Sequence, residues 1–185
     1  MITREEALSL LQQRLTNPNL VKHCLATEAI MRALAARLGR DGEEWGLAGL
    51  LHDLDVELVK GDMYIHGKET ARILTEKGVD PDVIDAIRMH NETSAGEKRS
   101  KEFQNALAAG ETITGMIVAT ALVYPDKKVA GVQPKSVIKR MKETKFAASV
   151  RRENIMECEL IGIPLPEFIG ISLNAMKKIS DKIGL

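Results

Sequence analysis

Aromatic residues are scarce in this sequence, at 3% of 185 residues, and no stretch alternates Val, Ile, Thr and Tyr. Because β-strands are enriched in those residue types, the scarcity argues against a sheet protein. An excess of one charge is missing as well, since lysine plus arginine and aspartate plus glutamate are both 26. This balance disfavours a nucleic-acid binder, which needs a basic surplus.

Long apolar runs are also missing. The longest, residues 116–124, is about half as long as a membrane span. The first eleven residues include Glu5 and Glu6 and have no basic lead into an apolar core, so they do not resemble a secretory signal. We therefore expect a soluble, cytoplasmic protein without a membrane partner. Cys24 and Cys158 lack the CxxC spacing of a redox or zinc site and are expected to be buried free thiols.

Helical periodicity runs through nearly the whole chain and predicts an all-α fold. Capping patterns and Gly or Pro breakers set the expected ends of the helices. The predicted helices span about residues 3–15, 20–38, 43–53, 66–77, 80–90 and 101–124, with a loop at 91–100 and three more helices between 134 and 184. No repeat or linker divides the chain, so residues 1–185 are expected to form a single domain.

The four histidines of the chain are accompanied by two acidic residues at suggestive positions. The set is His23, His52, Asp53, His66, His90 and Glu111. Each histidine lies in or near the end of a predicted helix, so a helical bundle could bring them to one point. A lone histidine on an apolar face is more often a hydrogen-bonded core residue than a ligand, but the joint pattern favours a metal site.

Helical register indicates that two of these side chains face the core. His23 shares an apolar stripe with Ile30 and Leu34, and Glu111 shares one with Leu107 and Val118. An unpaired carboxylate on such a face would cost several kcal/mol, or its pKa would rise until it was neutral. A bound cation removes that cost. Imidazole and carboxylate ligands without thiolate suit iron, manganese, zinc or nickel, and the set contains enough ligands for one or two divalent ions.

The motifs around these residues resemble a known family. The order His, His-Asp and a distal carboxylate, in the contexts "HCLATEAIMRALA" and "GLAGLLHDLD", resembles the HD-domain superfamily of metal-dependent phosphohydrolases over residues 20–125. The contexts "YIHGKETARIL" and "IRMHN" resemble the subset with two metals. The segment "ALAAGETITGMIVATALVYPDKK" is similar to the helix that supplies the last ligand in bacterial members of unassigned function.

The resemblance implies an all-helical HD-domain bundle with additional C-terminal helices at about 134–185. It also implies two ions that share Asp53, the first held by His23, His52 and the distal carboxylate and the second by His66 and His90. Three departures stand out. The distal ligand is normally Asp but here is Glu111, no lysine follows closely after His-Asp, and the Gly-Tyr-Pro motif of cyclic-dinucleotide hydrolases is missing.

The expected reaction is hydrolysis of a small phosphorylated metabolite or nucleotide. Two cations would lower the pKa of a shared water and neutralise phosphoryl charge, with Asp53 bridging them. Asp55 and Glu57 are candidates for orienting that water or protonating the leaving group, and Lys68 for binding phosphate. Residues 127–152 hold nine basic side chains and could form a phosphate-facing surface or a solvated helix face.

Two alternatives remain open from the sequence. One is a non-catalytic sensor or scaffold in which Glu111 has degraded the metal site, and weak metal binding with normal folding would indicate it. The other is a di-iron oxygenase, because related HD domains hold mixed-valent iron with the same ligand set, and dioxygen consumption would indicate it. Substrate, metal identity and oligomeric state are not predicted.

Overall fold

The computed structural model describes residues 2–185, and that part of the chain contains eleven α-helices and no strand, which confirms the all-α prediction. The helices are α1 (Arg4–Arg14), α2 (Pro18–Leu38), α3 (Gly42–Leu51), α4 (Lys68–Glu76), α5 (Pro81–Met89), α6 (Glu92–Ala95), α7 (Glu102–Leu122), α8 (Pro134–Met141), α9 (Arg152–Met156), α10 (Leu165–Lys178) and α11 (Ser180–Ile183). Two 3-10 turns, Val129–Gly131 and Glu157–Glu159, complete the regular structure.

The predicted capping signals act where the sequence places them. Thr3 and Glu6 form a reciprocal capping box at the start of α1. Asp80 caps α5 through its side chain, with Pro81 at the first helical position. Gly39 ends α2 in the left-handed conformation, at φ +67°.

Three predicted boundaries differ from the structure. α3 ends at Leu51 rather than at residue 53, so Asp53 lies in the turns that follow. α4 starts at Lys68 rather than 66, because Gly67 has φ +93°, a conformation outside the helical region. The predicted loop 91–100 contains the one-turn helix α6, which the side chain of Asn91 caps.

The core is built around α7, which packs against α2, α3, α5, α8, α9 and α10. By length and hydropathy α7 would pass for a membrane span, but 72% of its most apolar 18-residue window is buried inside the bundle. It is therefore the central core helix that its apolar composition predicts. Both cysteines are buried and free, as expected.

α2 and α3 make the most extensive contact in the bundle, and this contact positions the site. A Cβ on Gly49 would lie 2.8 Å from the carbonyl oxygen of Thr27, which is closer than real Cβ atoms come to backbone. Glycine is required there for the two backbones to touch. The approach brings the end of α3, with His52 directly after it, beside His23 on α2.

The C-terminal region has four helices instead of the three predicted, because α11 follows α10 as a separate turn. The predicted break near residue 144 is present as a segment of turns at 142–151, and the break at Pro164 is the start of α10. α9 packs on α7, and α10 packs on α2, α7 and α8. Residues 142–151 are thereby held next to the central helix.

Candidate metal centre

His23 and His52 meet Asp53 at the contact between α2 and α3. The Nε2 atoms of the two histidines are 3.0 Å apart. Asp53 lies beside both, with its Oδ2 3.6 Å from Nε2 of His23 and its Oδ1 3.5 Å from Nε2 of His52. We call these two histidines, together with Asp53, the first half of the centre.

His66 and His90 approach the same aspartate from the other side. Their Nε2 atoms are 2.9 Å apart. They lie 3.1 Å and 3.7 Å, respectively, from Oδ1 of Asp53. These two histidines with Asp53 are the second half. In each half the potential ligand atoms all lie within 4.8 Å of one another, so each could hold an ion and Asp53 belongs to both.

Hydrogen bonds at Nδ1 fix the tautomers of His52 and His90. Nδ1 of His52 donates to the carbonyl of Gly49 at 2.9 Å, and Nδ1 of His90 donates to the carbonyl of Ile87. A carbonyl oxygen only accepts, so the proton of each neutral ring is on Nδ1. The lone pair is therefore on Nε2, the atom that faces Asp53.

In the other two histidines Nδ1 is also the donor, but its partner is a side chain. Nδ1 of His23 is 2.8 Å from the hydroxyl of Thr114, whose own proton goes to the carbonyl of Glu111, so the ring is the donor. Nδ1 of His66 donates to Oδ1 of Asp55 at 2.7 Å. All four histidines thus direct their Nε2 atoms toward Asp53.

This arrangement fits a metal ion better than it fits an ordinary polar core. Two lone pairs that face each other at 2.9 or 3.0 Å repel unless a positive charge lies between them. The donors are imidazole nitrogens and a carboxylate, without thiolate, and each ring carries the anchored Nδ1 proton that is typical of metal-binding histidines. The residues present therefore fit one or two divalent transition-metal ions.

The charge states of the centre reflect its burial and its carboxylates. Burial lowers the pKa of His52 to about 3, against the opposing effect of Asp53. Burial also acts to lower the pKa of His66, but hydrogen bonds to Asp53 and Asp55 outweigh it and raise that pKa to about 9. The pKa of Asp53 lies well below its usual value, because the surrounding histidines overcome the effect of burial. Without an ion, His66 is therefore protonated at neutral pH and pairs through Nε2 with the ionised carboxylate of Asp53. A metal ion would take the place of that Nε2 proton and free the lone pair for ligation.

Asp55 has a different place from the one expected. It is fully buried, and its carboxylate accepts from Nδ1 of His66 and from the backbone amides of Gly67 and Thr70, at 2.9 and 3.0 Å for the amides. Burial would raise its pKa, but these bonds lower it. Both oxygens are engaged away from the cavity, so Asp55 orients His66 and caps α4 instead of acting on water or a leaving group.

Glu57 and Lys68 also lie away from the centre. The carboxylate of Glu57 accepts from the backbone amides of Thr16 and Asn17 and from the Thr16 hydroxyl, so it ties the 52–67 segment to the start of α2. Those bonds lower its pKa. Lys68 is exposed in a shallow groove with Leu58 and other residues that do not line the centre. The expected catalytic and phosphate-binding roles of these two residues are therefore corrected.

Glu111 lies on α7 at the edge of the first half but outside both groups of ligand atoms. Its carboxylate accepts from the hydroxyl of Thr112. Burial raises its pKa, while the nearby charge of His23 opposes the rise. Its role as the distal ligand of the first ion stays a prediction.

The centre opens into a cavity of about 280 Å³, which we call the histidine cavity. Most of the other residues that line it are polar or small. Its lining consists of His23, Asp53, Met63, His66, His90, Asn91, Glu111, Thr112, Thr114, Gly115, Ser149, Val150, Arg151 and Asn154. Arg151 is the one lysine or arginine in this lining, so the basic segment 127–152 contributes one cation to the cavity.

Arg152, its neighbour, has a structural role. Its five guanidinium N–H groups donate to the carbonyls of residues 141, 143, 146, 147 and 150. Every donor of the side chain is therefore used. The segment 142–151 is wrapped around this guanidinium, even though Ala147 adopts a positive φ of 45°. The wrapping carries Ser149 to Arg151 to the mouth of the cavity.

The sequence reasoning missed three residues that hold the centre together. Thr114 anchors His23, as described above. Asn91 donates from Nδ2 to the carbonyls of Met63 and His66, at 2.7 and 3.1 Å, and the hydroxyl of Ser94 donates to the His66 carbonyl at 2.7 Å. The position of Asn91 directly after His90 was a signal for this role, whereas Thr114 and Ser94 gave none.

Comparison with known proteins agrees with this geometry. The family model described as "HD domain" matches residues 20–121, more than half of the chain. The chain therefore belongs to the HD-domain family, a superfamily of metal-dependent phosphohydrolases. In comparisons with curated proteins and with solved structures, no match reaches significance.

Proposed function

We propose that this protein is a metal-dependent phosphohydrolase that cleaves a phosphomonoester or phosphodiester of a small metabolite or nucleotide. The observation that carries the proposal is the convergence of four Nε2 lone pairs on the shared carboxylate of Asp53, at the floor of an open cavity. Membership of the HD-domain family supports the same chemistry.

The residues of the chain divide the work in this proposal. Asp53 and the four histidines hold divalent ions, which lower the pKa of a water molecule and neutralise phosphoryl charge when bound. Arg151 binds the non-reacting oxygens of the phosphate, because it is the permanent cation of the lining and pairs loosely with Glu153, at 3.7 Å. No side-chain nucleophile is required.

The proposed substrate is a small molecule, since the histidine cavity has a volume of about 280 Å³. We propose that neither a nucleic acid nor a membrane is the partner, because the chain has no net charge to attract either one. A cytoplasmic location belongs to the same proposal. The metal is iron, manganese, zinc or nickel, all of which accept this donor set.

The test is to purify the protein without chelator, measure metal by elemental analysis and assay phosphate release from a panel of phosphate esters with manganese, iron or nickel added. We expect about two ions per chain and turnover that depends on them. Fewer than about half an ion per chain with no turnover after reconstitution would favour the sensor or scaffold. Dioxygen consumption without phosphate release would favour the oxygenase.

Arg151→Gln tests the phosphate-binding role separately. Loss of one charge-assisted hydrogen bond should raise KM about tenfold or more, while metal content and melting temperature stay unchanged. The matched control is Lys145→Gln, which removes an exposed cation of the same segment outside the cavity lining and should leave KM unchanged. Equal KM values for the two variants would exclude Arg151 as the phosphate ligand.

A further inference from the structure

A second, larger cavity of about 490 Å³ lies beside the histidine cavity, between α2, α7 and the C-terminal helices. We call it the apolar groove. Most of its wall is made of aliphatic side chains, and Leu122 is 51% exposed although it is apolar. Its lining is Asn19, Lys22, His23, Ala26, Thr114, Gly115, Val118, Ala119, Leu122, Met176, Ile183, Gly184 and Leu185.

The groove and the histidine cavity share three wall residues, His23, Thr114 and Gly115. The shared wall includes a metal-ligand candidate and the threonine that anchors it, so the groove starts at the first half of the centre. Gly115 belongs to this wall and packs directly on Val150, because a Cβ at that position would lie 3.1 Å from Cγ2 of this valine.

We infer that the apolar groove binds the organic group of the substrate, so that the substrate is an amphipathic phosphate ester with an aliphatic or aromatic group. The inference rests on the proposed function. A phosphate at the centre lies against Arg151 on one side, and its ester group leaves past His23 and Gly115 into the groove on the other. The two cavities therefore recognise the two ends of one molecule.

The composition of the groove supports this occupant over a purely polar one. Val118, Ala119 and Leu122 follow one another along the side of α7 that starts at Gly115, one to two turns from the centre. Predominantly apolar walls that lead to a few polar groups are the usual form of a small-molecule site. A highly polar sugar phosphate would leave these apolar side chains exposed to water, and its hydroxyl groups would find polar partners only at the few polar residues of the lining.

The experiment uses the metal-loaded full chain and three monoesters, methyl, butyl and octyl phosphate, with release of inorganic phosphate as the readout. Each methylene that enters the groove should raise kcat/KM up to about fourfold. Octyl phosphate has seven more methylenes than methyl phosphate, so even a twofold gain for each would give a preference of about a hundredfold. Equal kcat/KM for all three esters would overturn the inference and leave the hydrolase intact, whereas no release from any ester would contradict the proposed function itself.

Ala119→Phe narrows the groove and should reduce kcat/KM for octyl phosphate about tenfold relative to that for methyl phosphate. The matched control is Ala36→Phe, the same substitution at an exposed position of α2 outside both cavities. If Ala119→Phe does not fold, Leu122→Gln replaces it, because that side chain is half exposed and its loss opens no cavity in the core. An effect on octyl phosphate equal to that of the control would refute the assignment.

The groove could instead be an interface with a second copy of the chain. Mass measured in solution, with and without octyl phosphate, distinguishes the two occupants. We expect the mass to be the same for the parent chain and for Ala119→Phe. A dimer that Ala119→Phe dissociates, with no preference for the longer esters, would overturn the inference in favour of that interface.

Discussion

The two halves of the centre are built from the same kinds of residue but are held differently. In the first half, the side chain of His23 is 25% exposed and its Nδ1 proton goes to a neutral hydroxyl, that of Thr114. In the second half, the side chains of His66 and His90 are each 6% exposed, and the Nδ1 proton of His66 goes to the buried carboxylate of Asp55.

This difference predicts that the two halves bind metal with different affinities. A hydrogen bond to a carboxylate is stronger than one to a hydroxyl and increases the basicity of the ligating nitrogen. The second half also has no histidine as exposed as His23, although His52 of the first half is itself buried. We therefore expect two-step metal binding in which the second half is filled at lower free metal concentration than the first.

The largest effect is expected from Asp53→Asn, because this substitution removes the carboxylate that both halves share. The difference in metal affinity between the two halves should then disappear. The amide has one neutral oxygen to offer and no charge, so both ions should be lost. Elemental analysis after dialysis should find almost no metal, with helical circular dichroism preserved. Asp82→Asn, at an exposed carboxylate of α5, is the control and should keep its metal. Retention of both ions by Asp53→Asn would contradict the shared-ligand arrangement.

Asp55→Asn should weaken the second half selectively. The amide oxygen can still accept from the backbone amides of Gly67 and Thr70, but then its NH₂ group faces the Nδ1 proton of His66. Loss of such an anchoring partner typically reduces metal affinity about 10- to 100-fold. Metal titration should show the tighter step shifted by this factor and the weaker step unchanged. If the affinity of the tighter step is unchanged, the hydrogen bond between His66 and Asp55 is not the cause of the difference between the two halves.

Glu111→Gln tests whether the first half has a fourth ligand. If Glu111 turns from Thr112 to the ion, as predicted, loss of its charge should lower the metal affinity of the weaker binding step about tenfold. Glu111→Asp should keep that step close to the parent value, because the charge is retained. Glu153→Gln, at an exposed position near the cavity mouth, serves as control. A weaker step that is the same in the parent chain and Glu111→Gln would leave His23, His52 and Asp53 as the complete protein ligand set.

Thr114→Val should produce a smaller change in the same half. It removes the neutral acceptor of the His23 Nδ1 proton, which is worth about 1 kcal/mol, or roughly fivefold in affinity. Titration should place the shift in the weaker step alone. A loss of metal affinity larger than that caused by Asp55→Asn would show that Thr114 supports its histidine more strongly than Asp55 does.

The smallest effect is expected from Glu57→Gln, which belongs to neither half. Hydrogen bonds from Thr16 and Asn17 lower the folded-state pKa of Glu57, so its charge stabilises the fold above the unfolded pKa of about 4.3. That contribution disappears as pH falls through the folded pKa. Thermal melts should therefore show a difference from the parent chain of at most a few degrees at pH 7, shrinking below about pH 4. A difference that grew toward low pH would contradict the lowered pKa.

The fold and the grouping of the four histidines around Asp53 could be predicted from the sequence because both depend on local regularities. Helical stripes and caps identify the helices, and a short set of histidines beside one Asp identifies the centre. Asp55 and Glu57 were misplaced because acids just after a ligand give no local sign of whether they face a cavity or a backbone amide. Gly67 decides this for Asp55, since its positive φ turns two amides toward that carboxylate.

The basic segment was also ambiguous for a physical reason. Arg151 and Arg152 are adjacent and chemically identical, yet one faces the cavity and the other is enclosed by five carbonyls. Their difference depends on how the backbone of 142–151 closes around one guanidinium. Such closure is a property of many residues together, so composition alone does not reveal it.

The enclosure of Arg152 has a consequence for how the cavity opens. Five carbonyls that share one guanidinium cannot be released singly without leaving a half-buried donor unpaired. Residues 142–151 should therefore detach from the bundle as one cooperative unit, and their amide hydrogens should exchange with solvent at a common rate. Release of a product held by Arg151 would then follow the timing of that concerted opening, which the contacts of Arg152 set rather than those of the metal ligands.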